Sequence, residues 1–119
     1  MNLIQRLFNR AMIGMSKQGW RRAFDSVNQV CAYLDPYGNS CVVGQLCDHP
    51  ENCELGDVDI EKSVQEEIAR SNNCTVDSWL LEELSAWQQI HDDSEPGEMR
   101  DDFLIYADDS GLSWPEEAV

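Results

Sequence analysis

Five side chains able to hold a soft metal ion lie within 23 residues: Cys31, Cys41, Cys47, His49 and Cys53. Thiolate and imidazole are the donors that zinc selects. Their spacing is not that of a zinc knuckle. There is no Cys-x2-Cys pair, and Cys47-x-His49-x3-Cys53 matches no standard arrangement. Two readings stay open. One is a set of buried free thiols, a common fate of Cys. The other is a small zinc-stabilised module using Cys31, Cys41, Cys47 and Cys53 or His49. With Cys74 the thiol count is five, and an odd number without a secretion signal favours free thiols. No metal ligand set is assigned, and no cofactor is expected.

Other chemistry is weaker. A Cys–His nucleophile pair could be drawn with His49 or His91, but there is no nucleophile elbow and no third orienting group. His91 falls on the apolar side of its helix and reads as a packed core histidine. Asp57-x-Asp59-x-Glu61 resembles the start of a calcium loop, yet Lys62 stands where the loop needs Gly and Ile68 where it needs Glu. No Gly-rich phosphate loop exists. The chain is therefore expected not to be an enzyme.

The acidic residues carry more information. Residues 1–22 hold Arg6, Arg10, Lys17, Arg21 and Arg22 and no acid, whereas residues 23–119 hold all 23 acids against Lys62, Arg70 and Arg100. The formal net charge is −15. Like charges on a small body repel, and such a protein is steered towards basic protein surfaces and away from DNA and anionic membrane. On the last expected helix, Glu98 precedes Asp101 and Asp102 by three and four residues, and each such like-charge pair destabilises a helix by about 0.2–0.5 kcal/mol. Asp108 and Asp109 stand near its C-terminal end, where the helix dipole disfavours anions. Ile105 lies among these acids with no core to enter. The candidate partner-binding residues are Asp92, Asp93, Glu95, Glu98, Asp101, Asp102, Ile105, Asp108 and Asp109. An apolar residue ringed by carboxylates suits a binding face, and dense acid on a rigid helix suits a mimic of DNA phosphates. The alternative is a solvated face that keeps the protein soluble.

The elements that must position these residues follow from periodicity. Leu3, Ile4, Leu7, Phe8, Ala11, Met12 and Met15 predict an amphipathic helix over 2–17, ended by Gly19, with Arg6, Arg10 and Lys17 on one flank. That flank could answer the acidic body or help pair two chains as a homodimer. Val30–Leu34 and Cys41–Val43, joined by Asp35-Pro36-Tyr37-Gly38, predict a β-hairpin over 29–44. Residues 45–57 read as a loop. Further helices are expected at about 58–70, with Asp57 as N-cap, at 76–91, and at 95–110, with Ser94 as cap and Pro96 in the first turn. The apolar residues of the 76–91 helix, from Trp79 to Ile90, spread so widely that it should be packed on two sides. Trp114 should tuck back, and Glu116 onward should fray.

One stretch carries a resemblance. Cys31-Ala32-Tyr33, followed by Pro36-Tyr37-Gly38-Asn39-Ser40-Cys41-Val42-Val43-Gly44-Gln45-Leu46, resembles a cysteine–tyrosine hairpin of small uncharacterised bacteriophage and prophage proteins. The likeness extends over about residues 15–112, through a Leu-rich helix into Ile90-His91-Asp92-Asp93-Ser94 and a last helix closing near Gly111-Leu112. It implies an origin, a phage accessory protein made in a bacterial cytoplasm, and no assigned site residues.

The N-terminal segment has no continuous apolar region of a signal peptide, and no stretch approaches the roughly 20 apolar residues that span a bilayer. The expectation is one cytoplasmic α+β domain over 1–119, a hairpin packed against about four helices. It would bind and inhibit a host protein with a basic surface, with neither direct nucleic-acid binding nor a membrane partner.

Overall fold

The computed structural model describes residues 2–22, 37–50, 62–95 and 97–119, and the backbone of 24–25 and 30–31. The described residues form four α-helices: α1 (Leu3–Lys17), α2 (Lys62–Asn72), α3 (Ser78–Asp93) and α4 (Met99–Ser110). The Asn2 side chain accepts the Gln5 N–H at 2.8 Å and starts α1. Gly19 and Trp20, at φ 71° and 60°, end it, with Trp20 N–H bonded to Met15 O at 2.8 Å. Asp77 likewise caps α3 through the Leu80 N–H at 2.9 Å. Left-handed Gly111 closes α4.

The expected α+β class is overturned, because the hairpin over 29–44 does not form among the described residues. Its second strand is instead a turn leading into a 3-10 helix (Gly44–Leu46). Val43 has helical angles, and Gln45 N–H and Leu46 N–H bond back to Cys41 O and Val43 O at 3.0 Å each. A strand with one wet face would bury alternate residues, yet Cys41, Val42, Val43 and Gly44 are buried in succession. A short apolar run fits a buried strand and a buried turn equally well. The turn docks on α1 beside Gly14, where a Cβ would come within 2.2 Å of Gln45 Oε1. The place of a partner strand at Ser40 is taken by a side chain. Gln18 accepts the Ser40 N–H at 2.9 Å and donates to Ser40 O at 2.7 Å. Phe24–Asp25 does meet Val30–Cys31 in antiparallel register, but two residues on each side make no sheet layer. Residues 32–36 lie outside the described residues, as does most of the 45–57 loop, with Asp57 and the expected start of the second helix. Gly38 has the expected positive φ, 85°.

Two further boundaries move. α3 runs on to Asp93, and Ser94 closes it rather than opening α4: its N–H and its hydroxyl both bond Ile90 O, at 3.0 and 2.7 Å. Glu98 precedes α4 without a side-chain cap bond. Pro96 lies outside the described residues.

The core centres on Phe8. Trp87 packs edge-on to it with ring centroids 5.5 Å apart, and Trp114 does the same at 6.0 Å. Leu80, Leu84, Trp87 and His91 form the buried stripe of α3, at spacings of four, three and four. Trp114 tucks back as expected and stacks on Trp20 at 5.8 Å. The end of the chain is not frayed. Ala118 is buried, Val119 N–H donates to Ser16 Oγ at 2.9 Å, and the Trp20 indole donates to Val119 O at 2.8 Å.

Candidate functional site

α4 lies against α3 in an antiparallel pair. Met99, Phe103 and Ala107 enter the core. Tyr106 joins the two helices: it accepts the Trp87 indole N–H at 3.1 Å and donates to the Glu83 carboxylate. Burial, and then that bond to Glu83, raise the Tyr106 pKa. The tyrosine therefore stays protonated and serves as a structural donor.

The nine candidate residues fall into two groups. Three acids have jobs in the fold. Asp102 is half-buried and accepts the Ser94 hydroxyl at 2.8 Å, tying α4 to the end of α3. Asp92 accepts from Gln88 at 3.1 Å and lies 2.8 Å from His91 Nδ1. Asp93 accepts from Gln89 one turn back. The other six are exposed: Glu95, Glu98, Asp101, Ile105, Asp108 and Asp109. At 100° per residue, Glu98, Asp101, Ile105, Asp108 and Asp109 share one side of α4, away from Phe103. Ile105 is 61% exposed at the middle of them. Arg100 Nη1 is 3.9 Å from Asp101 Oδ1, and Arg21 and Arg22 line a cavity with Glu95 and Asp101 at the start of α4.

Trp79, expected in a two-sided apolar surface of α3, is instead 80% exposed. The signal lay in the stripe 80-84-87-91, from which Trp79 stands one residue out of register.

The basic flank of α1 has a different fate. Arg10 Nε donates to Gln45 O at 3.0 Å, Nη1 to Ser71 O at 3.3 Å and Asn72 Oδ1 at 3.0 Å, and Nη2 to Asp48 at 2.8 Å. Arg6 donates to Asn72 O at 3.2 Å. Two arginines thus hold the carbonyl end of α2, where the helix dipole favours cations.

The thiols show buried-residue behaviour. Cys41 Sγ accepts the Gly44 N–H at 3.4 Å, and Cys47 Sγ donates to Val43 O at 3.7 Å. Burial raises the Cys74 pKa, partly offset by Arg6. Among the described residues no three His, Cys, Asp or Glu side chains could hold a metal ion. The Cys31 side chain and Cys53 lie outside them. His91 is buried in the core, as expected, and its Nε2 has no hydrogen-bond partner.

No family model matches this chain, and no curated protein or solved structure is significantly similar to it. None of the described helices is long and apolar enough to cross a membrane.

Proposed function

We propose that this chain is a binding protein, not an enzyme, and that the exposed side of α4 captures a basic protein surface. The observation that carries the reading is Ile105, 61% exposed amid Glu98, Asp101, Asp108 and Asp109 on a helix whose other side is core. Folding gains nothing from an exposed Ile among mutually repelling carboxylates. An interface gains both steering and a desolvated centre.

Charge spacing refines the class of partner. From Glu98 to Asp109 the helix rises about 16 Å and carries four exposed carboxylates at a mean interval of roughly 5.5 Å, within a factor of two of the phosphate spacing of a DNA strand. Phosphates on one DNA strand stand about 3.4 Å apart. The density suits a partner that itself binds nucleic acid, while Ile105 asks for an apolar notch that a phosphate groove does not need. A basic protein surface with such a notch fits better than a pure DNA-binding groove. With the phage-type motif at 31–46, the reading is an accessory protein that blocks a host nucleic-acid-binding or defence factor.

The test is quantitative capture from bacterial lysate by the wild-type chain, by D101K/D108K/D109K and by I105S. The wild type should enrich basic, nucleic-acid-binding proteins that added salt releases, and both variants should lose them. A captured set unchanged in both variants would sink the reading.

A further inference from the structure

A pocket of about 560 Å³ lies where the end of α1 meets the start of α4. Its walls include Trp20, Arg21, Arg22, Met99, Arg100 and Asp101. Three of the chain's eight cations therefore converge on one cavity of a protein whose net charge is −15. Their placement is enforced. Gly19 and Trp20 are consecutive left-handed residues, and a tryptophan in that region is strained. The turn is held by the Trp20 N–H bond to Met15 O and the indole bond to Val119 O, each 2.8 Å. It carries Arg21 and Arg22 across to the junction of α3 and α4, where Arg22 donates to Ser94 O at the end of α3. Arg100 lies 5.8 Å over the Trp114 ring, which in turn stacks on Trp20. Arg21 is exposed; its carbonyl accepts from Gln18 Nε2 at 2.8 Å, and its guanidinium has no hydrogen-bond partner among the described residues.

We propose that this pocket binds a small organic anion, a planar ring bearing one carboxylate or one phosphate monoester. The guanidiniums of Arg21 and Arg100 offer planar donor forks to the anionic group. Met99 and the ring of Trp20 supply apolar wall for the ring, and the volume falls in the range of small-molecule sites, about 300–1,000 Å³. Glu95 also lines the cavity. With Asp101 it sets two carboxylates against three guanidiniums, which disfavours di- and triphosphates. The acidic body does the same to nucleic acid.

The pocket shares Glu95 and Asp101 with the acidic face, but Arg21 is not on that face, so a change at Arg21 tests the pocket without touching the α4 reading. The experiment is calorimetric titration of the full chain with phenyl phosphate and with 4-hydroxybenzoate, which separate phosphate ester from carboxylate. Phenol serves as the ring without the anion. At least one anion should saturate with a Kd below about 1 mM, and its uncharged ring should bind at least about tenfold more weakly. R21Q should weaken the anion about tenfold and R21K by less, because lysine keeps the charge and loses the fork. Melting followed by circular dichroism should show both variants folded as the wild type, as an exposed side chain without a partner predicts. Neither anion binding below about 1 mM, or R21Q binding as tightly as the wild type, overturns the proposal.

Discussion

Arg10 on α1 and Asp108 on α4 both stand outside the buried stripe of an amphipathic helix. Around Arg10, four acceptors from two parts of the chain converge: Gln45 O and Asp48 in one, and Ser71 O and Asn72 at the end of α2 in the other. Asp108 is exposed, and among the described residues no cation pairs with its carboxylate. The contrast extends to their neighbours. Arg6 also serves the end of α2, while Asp101 has one long contact to Arg100 and Asp109 none among the described residues. Charge of one sign is built into the tertiary structure, and charge of the other is left facing water. A charged side chain with several internal acceptors explains itself through folding. A row of like charges without partners does not, and that is why the second row is the better place to look for binding.

The largest effect should come from breaking the first member of the pair. R10M removes the donors of two backbone carbonyls and two side chains at a half-buried site, and it should lower unfolding stability by about 3 kcal/mol in urea titration. R10K should rescue little, since an ammonium cannot meet this spread of acceptors as a planar fork does. A loss below about 1 kcal/mol would place Arg10 with the ordinary surface charges.

Much of this contrast was legible beforehand, but not evenly. The four helices and the stops at Gly19 and Gly111 rest on local rules, which act within a turn or two of chain, whereas the cap expected at Ser94 closes α3 instead of opening α4. The exposure of Ile105 and the burial of His91 follow from helical period alone. What stayed hidden depends on distant partners. Residues 41–46 have a strand-like composition, and only the notch at Gly14 and the Gln18 amide make a buried turn the better solution. Arg10 reads as a flank charge until the end of α2 is placed against it. Asp102 reads as a member of the acidic face until Ser94 reaches it. Trp79 is invisible as a surface residue because tryptophan counts as core unless the register of the stripe is enforced.

A second break tests whether every acid should be grouped with Asp108. Glu67 should not. It is 3% exposed, accepting from Ser71 Oγ at 2.8 Å and Arg70 at 2.9 Å. The Ser71 bond, and then that of Arg70, lower its pKa against the opposing effect of burial. Its ionised form is thus favoured by folding. The stabilisation is complete above the ordinary carboxylate range and is lost as pH falls through the lowered folded value. E67Q should lower stability by about 1–2 kcal/mol at neutral pH, and the gap from the wild type should narrow in acid. Taking the difference at each pH cancels the relief of repulsion that protonation brings to the rest of this acidic chain. A gap that is constant with pH would show that the carboxylate charge is not what Glu67 contributes.

The smallest effect has the opposite sign. D108N/D109N removes two charges at the C-terminal end of α4, where the helix dipole opposes anions and Asp101 and Asp102 lie within one or two turns. Neither side chain has an ion-pair partner among the described residues, so neutralisation breaks nothing that the fold uses. Stability should rise by about 0.5 kcal/mol at low ionic strength. The gain should shrink in 1 M salt, where screening acts within about 3 Å. The same pair of changes should weaken capture of the basic partner, because steering depends on those charges. A variant that gains stability while losing binding would mark α4 as a face kept for a partner at the expense of the fold. Loss of stability would mean instead that the two aspartates hold the structure together, as Arg10 and Glu67 do.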